Sequence, residues 1–382
     1  ANLQRVAAAM LTRGTKTMTR SEIEDRMTEL KMAGSITNFT TTRKNLPAAL
    51  ELVFDAMHNS IMPQDEFDQF KKQMQVMIES MRDKPDALAQ NAITQHFNTY
   101  PKGDPRYEYS LDESLEQLNK LTVDQVRAFY KEFGGTSRGE ISIVGDFDPK
   151  AVEKIIRNDY AKYVSKAHYA PVVTEYRPVK ATRVVIDTPD KENAIIVARS
   201  VFPINDTAPD APALTVANWI LGGGTGLSNR LIERLRQKEG LSYGAGSHVR
   251  IPAKGNNGSF VFRAIVAPQN MLQAEASARD VIAKAIKDGF TDQEVEEAKK
   301  GLLQAMQVAR SQDDVVARSW NDKMENQRTW AFSKKQAEAI SKLTTADVNA
   351  ALRKYIKPDE ITFVLAGDFW SPANTKVISS GL

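Results

Sequence analysis

Residues 121–147 read LTVDQVRAFYKEFGGTSRGEISIVGDF, and residues 343–369 read LTTADVNAALRKYIKPDEITFVLAGDF. The two stretches align without a gap at an offset of 222, with Leu121/Leu343, Thr122/Thr344, Val126/Val348, Ala128/Ala350 and both Gly-Asp-Phe endings coinciding. Each opens on a Thr suited to cap a helix and closes on a β-rich run that stops at a Gly-Asp turn. A helix followed by a strand is therefore expected in both copies. Two further matches occur in the same order. PQDEFDQFKK (63–72) aligns with TDQEVEEAKK (291–300), and MLTRGT (10–15) aligns with ILGGGT (220–225). The first of these pairs reads as the opening of a long amphipathic helix, acids early and lysines later, as the helix dipole favours. Three ordered matches point to an internal duplication.

The boundary falls in VSKAHYAPVVTEYRPVKAT (164–182), which carries two prolines and little helical periodicity and reads as an extended linker. The expected organisation is a first repeat over 1–165, a linker over 166–182 and a second repeat over 183–382. The second repeat reads as strands over 183–188 and 192–202 and helices over 208–220 and 226–238. Strands over 242–252 and 257–266, a long helical run and a strand over 360–367 follow. Strands clustered beside a block of helices indicate an α+β fold: two homologous domains, each an antiparallel sheet with helices packed on one face. The first repeat is shorter, with nine residues ahead of Met10 where the second offers two strands ahead of Ile220. It also has about 12 residues between its helix at 20–32 and the helix near Asn45, where the second repeat holds a full hairpin. Either that half is pared down or segments of a longer polypeptide are missing from it.

Composition narrows the function. A hydrophobic share of 42% beside 26% charged residues supports sizeable cores. The net charge of +3, with acids and bases interleaved, gives no reason to expect nucleic acid or an anionic membrane as partner. No apolar run reaches the roughly 20 residues that span a bilayer, so no membrane insertion is expected. The chain has no cysteine, which removes disulfides, thiolate metal sites and a cysteine nucleophile. A cysteine-free chain suits an oxidising compartment such as a bacterial periplasm, which is the location expected.

The segment ANWILGGGTGLSNRLIERLRQKEGLSYGAGS (217–247) places glycines at one helix end, a helix closing on Arg-Gln-Lys-Glu-Gly, and Leu-Ser-Tyr at the start of a strand. It resembles the C-terminal half of pitrilysin/insulinase-type zinc metallopeptidases, and the MLTRGTKT, NLPAALELVFDAM and Gly-Asp-Phe segments extend the likeness over the chain. In that family an Arg and a Tyr seven residues apart reach the zinc site of the other half. The resemblance therefore assigns Arg236 and Tyr243 to catalysis. A guanidinium can hold a substrate carbonyl with two donors, and a phenol can donate to a developing oxyanion. The bland alternative is a helix-end charge and an ordinary strand aromatic. Gly244 and Ser247 fall in the Gly- and Ser-rich strand that follows, whose edge could accept an extended peptide; a plain structural hairpin is the competing reading.

The family's catalytic half carries His-x-x-Glu-His, two zinc-binding imidazoles and a general base, just ahead of a segment like MLTRGT. Here that stretch is RVAAAMLTRGT, and Arg5, Ala8 and Ala9 stand at those positions. The chain is thus expected to hold no metal and no cofactor, with zinc in a partner half. The four histidines, His58, His96, His168 and His248, are too scattered for a helical ligand pair and read as surface or capping residues. Glu79, near where the family's third ligand tends to fall, reads as a solvated helix residue. GGGTG (222–226) lacks the Gly-Lys-Ser/Thr ending of a phosphate loop, and its glycines are expected to serve a tight helix–helix turn at positive φ. The resulting expectation is a non-catalytic half, inactive alone, that pairs with a zinc-bearing half, a separate subunit or an upstream part of the same polypeptide, to cleave peptides. The alternative is a non-proteolytic scaffold or peptide-binding subunit of the same fold.

Overall fold

A computed structural model describes residues 2–224 and 229–369. The first stretch runs α1 (Asn2–Met10), α2 (Arg20–Glu29), a short hairpin of β1 (Ala33–Ser35) and β2 (Asn38–Thr40), α3 (Leu46–Asn59), α4 (Gln64–Ser80), α5 (Pro85–His96), α6 (Leu111–Lys120), α7 (Val123–Phe133) and α8 (Pro149–Asn158). The remainder runs β3 (Arg183–Asp187), β4 (Ala194–Pro203), α9 (Ala211–Asn218), α10 (Arg230–Ile232), β5 (Ser242–Arg250), β6 (Asn257–Val266), α11 (Met271–Asp288), α12 (Asp292–Ala309), α13 (Asp313–Glu325), α14 (Trp330–Lys342), α15 (Thr345–Tyr355) and β7 (Thr362–Gly367). The class is α+β.

Two compact units result, and they do not follow the repeat boundary. One comprises residues 1–79, 112–171 and 312–325; the other comprises 80–111, 172–311 and 326–382. Helix α5 thus belongs with the second repeat's unit, and α13 with the first's.

The second unit is built on a five-stranded sheet in the order β3-β7-β4-β6-β5, antiparallel except for the parallel β3–β7 pair. Its strands alternate cleanly. Ile196, Ala198, Phe363, Leu365, Phe260 and Phe262 face one helical layer that includes Leu214, Ala217, Ala274, Ala278, Val348 and Leu352. On the opposite face Ile195, Val197, Val364 and Ala366 pack against Ala89 and Ile93 of α5. This sheet is covered on both faces, not one. The sequence signal was there in the apolar run Ala194–Ala198 of β4, which suits a strand buried on both sides rather than an alternating one.

The first unit holds only the β1–β2 hairpin as sheet among the described residues. That hairpin occupies the stretch expected to lack one. Conversely, the strand expected at the end of the first repeat is not formed: residues 139–147 have no ladder partner, although their counterparts form β7. A strand exists only by exchanging hydrogen bonds with neighbours. The second repeat supplies β3 and β4 on either side of β7, and the described part of the first unit supplies neither.

Helix starts follow local chemistry in both repeats. Thr122 and Thr344 each accept from the N3 amide while Gln125 and Asp347 reach back to the cap, closing capping boxes. Residues 172–182 of the linker have no regular structure but are fastened to the second unit. Tyr176 donates its amide to Asn256 Oδ1 at 2.7 Å, and Arg177 donates to the Thr99 carbonyl at 2.8 Å.

Candidate functional site

Arg236 lies on a π-helical turn, Glu233–Lys238, that continues α10. Asn229 starts this helix by accepting from the Ile232 amide at 2.9 Å, and Leu231 and Leu235 anchor it in the core. The wider turn is closed by Glu239 N–H donating to Arg234 O at 3.2 Å, and Leu241 N–H then donates to Leu235 O at 2.8 Å, tying the turn to the start of β5. π-turns of this kind are uncommon and gather at functional sites. The neighbouring cations are neutralised: Arg230 on Glu294 at 2.7 Å, Arg234 on Glu239 at 2.5 Å, and Lys238 on Glu233 at 2.8 Å. Arg236 is exposed and has neither an ion pair nor a hydrogen bond among the described residues. Its guanidinium is therefore available to a ligand.

Tyr243 is the extra residue of a β-bulge. Ser242 pairs with Val266 and Gly244 with Ile265, which leaves Tyr243 without an opposite residue. The Ser242 hydroxyl holds the bulge, donating to Gly244 O at 2.7 Å or Ile265 O at 2.9 Å and accepting from Gly244 N at 3.1 Å. Bulges re-aim side chains, and the Tyr243 ring is 65% exposed although Leu241 and Ser242 beside it are buried. Neither the bulge nor its serine clamp was read from the sequence; the available signal was Ser-Tyr-Gly at the opening of a strand.

The strand bearing Tyr243 is the outer one of its sheet, with β6 on one side and no strand on the other among the described residues. A Cβ built on Gly244 would meet nothing within 4 Å, so the backbone there is open to approach. Ser247 is differently employed. Its hydroxyl donates to Asn218 Oδ1 at 2.8 Å, joining β5 to the end of α9.

The glycines of the 222–226 segment do not use positive φ where they are described. A second π-turn, Trp219–Gly223, leads into Gly224 at φ −66 and ψ 145. These glycines are required by close approach instead. A Cβ on Gly222 would lie 2.5 Å from Ser247 Oγ, and one on Gly223 would lie 2.2 Å from Asn218 Nδ2. Thr225, Gly226, Leu227 and Ser228, where the following helix was expected to begin, lie outside the described residues.

Arg5, Ala8 and Ala9 sit on α1, whose buried face is Val6, Ala7 and Met10; Arg5 and Ala8 are exposed. The helix on which the resemblance places a metal motif is formed, but these three side chains offer it no ligand set. Among the described residues no group of three or more His, Cys, Asp or Glu is placed to hold a metal ion. His58 instead stacks on Phe54, and His96 Nε2 meets the Lys180 carbonyl at 2.9 Å. Glu79 is exposed on α4.

Comparison with known proteins follows the same line. Residues 120–302 match the family model described as the peptidase M16 inactive domain. The chain is 24% identical over 261 residues to an uncharacterized zinc protease of Mycobacterium bovis, covering 68% of this chain and 57% of that protein. A non-peptidase homolog of Helicobacter pylori is 20% identical over 253 residues, covering 66% and 57%. The chain thus spans little more than half the length of these curated relatives. Among solved structures, a peptidase M16 inactive domain from Pseudomonas fluorescens superposes with a TM-score of 0.79 at 21% identity, over 95% of this chain and 87% of that one. The periplasmic protease PqqL of Escherichia coli gives 0.67 at 15% identity, over 96% of this chain and 40% of that one. No helix among the described residues is long and apolar enough to cross a membrane.

Proposed function

We propose that this chain, whose residues 120–302 match the peptidase M16 inactive domain, is the substrate-handling half of a two-part metallopeptidase and cleaves peptides only together with a zinc-bearing half. The observation that carries this reading is that Arg236, with no ion pair among the described residues, lies on a π-turn and that a bulge in the next strand projects Tyr243. Both side chains are presented outward while the cations around Arg236 are neutralised. A structural role would bury or pair them. Zinc in the partner half would activate a water for attack on the peptide carbonyl. This chain then contributes what electrostatics requires at the other end: Arg236 holds the substrate carbonyl and Tyr243 Oη donates to the oxyanion as it forms.

The open edge of β5 adds a means of holding substrate. Main-chain groups along Gly244–Ser247 can pair with an extended peptide, a mode that reads backbone rather than side chains. Short or unfolded peptides are the substrate class this favours. A periplasmic setting agrees with the cysteine-free composition and with the description of PqqL.

The test is reconstitution with the zinc-bearing half and a quenched peptide. Tyr243→Phe should lower kcat/KM on the order of 100-fold, as loss of one oxyanion donor does. Arg236→Ala should act mainly through KM, with zinc content and association of the halves unchanged. Full activity in both variants would remove the assigned roles. A native partner lacking His-x-x-Glu-His would turn the reading to a non-proteolytic scaffold.

A further inference from the structure

Arg199 is a cation without an anion among the described residues. It lies on β4 two residues past Val197, so strand alternation turns it to the face of the sheet on which α5 packs. There the guanidinium lies over the ring of Phe97, just beyond α5, with 4.9 Å between Cζ and the ring centroid. The Nε atom is sealed from solvent and has no hydrogen-bond partner. The two terminal nitrogens are equally without a partner among the described residues, but they are not sealed in this way. Burial first, and then the charge of Arg250, hold the guanidinium below its ordinary pKa; Glu108 opposes them without forming an ion pair.

Neighbours on the same face show how selective this is. Arg263, opposite Val197 on β6, is bound to Asp86 at 2.5 Å. Arg250 is exposed and has neither an ion pair nor a hydrogen bond among the described residues. It stands opposite Ser259, which stands opposite Val201, the residue two places past Arg199 on β4. His248, also exposed, stands opposite Val261, which stands opposite Arg199 itself. Residues directly opposite share a face. Arg199, Arg250 and His248 therefore look onto one area, with Phe97 as a wall and Val261 and Ser259 beneath.

The Phe97 ring engages the flat side of the Arg199 guanidinium and leaves its edge, where the N–H groups point, unused. Withdrawing such a charge from water without a partner is costly. An apolar side chain would fill this position, between Val197 and Val201, without that cost. A planar fork of donors beside a second guanidinium fits a carboxylate, whose two oxygens can accept both terminal N–H groups. The nearby Glu108 charge disfavours the greater charge of a phosphate ester. We propose that this area is a carboxylate site, in which Arg199, with Arg250 beside it, takes the C-terminal carboxylate or an acidic side chain of a bound peptide. The inference rests on the peptide-handling reading above and adds to it a preference that Arg236 and Tyr243 do not supply. Arg250 follows Tyr243 by seven residues along β5, roughly 23 Å of extended chain, so the carboxylate is held about that far from the phenol.

Equilibrium binding to this chain tests it with an Ala/Ser/Thr peptide of about ten residues in three forms. One has a free C-terminal carboxylate, one a C-terminal amide, and one the amide with a single added Glu. At least one charged form should bind about 10-fold more tightly than the plain amide, and the tighter of the two identifies the source of the carboxylate. Arg199→Leu should reduce the charged forms to the level of the amide. Arg199→Lys should keep only part of the preference, because an ammonium cannot make the fork. The free Arg199→Leu chain should unfold at the same temperature or higher, since apolar volume replaces an unpartnered charge. A melting temperature lowered by several degrees would make the guanidinium a structural support for Phe97 and overturn the proposal. So would a preference that survives Arg199→Leu but is lost in Arg236→Ala, which would move the carboxylate to Arg236. Equal binding of the three forms overturns the carboxylate site alone; binding of none overturns it together with the peptide reading.

Discussion

Residues 139–147 and 361–369 hold the same place in a duplicated sequence, and their helices α7 and α15 start on matching capping boxes. The helices form in both copies and the strand in only one. An α-helix closes its hydrogen bonds within its own segment, so a local sequence can specify it. A strand depends on neighbours, so the same pattern has two fates. Phe363 is 1% exposed and Ile141 is 41% exposed; the Asp368 residue is buried, whereas the Asp146 carboxylate reaches solvent and pairs with Arg43. What differs is the presence of β3 and β4 alongside.

The largest expected contrast is in the cores of the two copies. Leu365→Ala removes a fully buried side chain from the middle of the sheet and should cost about 2–5 kcal/mol. Ile143→Ala, at the equivalent position, should cost roughly 1 kcal/mol because its side chain is only partly withdrawn from water. Urea unfolding followed by exchange of amides in each unit separates the two values. Equal costs would mean that the first copy is as well packed as the second, and would break the comparison.

What was legible in the sequence divides along the same line. The amphipathic helices and the strands of the second repeat could be read because period, caps and turn residues are local. The back face of the sheet could not, since α5 comes from a segment nearly 100 residues earlier in the chain than β4. At the candidate site, Arg236 and Tyr243 were visible through a family likeness. The reasons they are presented, a π-turn and a bulge clamped by Ser242, are backbone irregularities with weak residue signatures. Gly222 and Gly223 were noticed for the right property, the lack of a Cβ, but the constraint is crowding by Ser247 and Asn218 rather than positive φ.

A smaller contrast concerns equivalent ion pairs. Glu66 and Glu294 match in the repeat, and Arg20 and Arg230 each lie ten residues beyond Met10 and Ile220. Arg230 grips Glu294 with two donors at 2.7 and 2.8 Å, also donates to Gly289 O, and lies over the Phe290 ring. Arg20 reaches Glu66 only at 3.6 Å and bonds Glu24 instead. Arg230→Ala should therefore cost about 1–2 kcal/mol and Arg20→Ala under about 0.5 kcal/mol. Burial alone would raise the Glu294 carboxyl, but bonds from Arg230 and Thr291 hold it below the usual carboxylate range. Its stabilisation is then complete above the ordinary value near about 4.3 and is lost as pH falls through the depressed one. Wild type should lose stability more steeply than Glu294→Gln in that acid range. Parallel acid limbs would show that the carboxylate is not what holds Arg230.

The smallest contrast between the copies sharpens the comparison most, because it isolates the part that both share. Thr122→Ala and Thr344→Ala should each cost about 1 kcal/mol near neutral pH, since each removes the same capping acceptor whether or not a sheet follows. Below neutrality they should part. The reciprocal residue is Gln125 in the first copy and Asp347 in the second. Hydrogen bonds from the Thr344 hydroxyl and amide hold the Asp347 carboxyl below its ordinary value, so the Asp347 bond contributes above that value and fades as pH falls through the lowered one. Gln125 has no proton to gain. The cost of Thr344→Ala should shrink in acid while that of Thr122→Ala stays level, measured as the difference in unfolding free energy at each pH. A pH-dependent cost in both copies would mean that something other than the N3 side chain governs the cap.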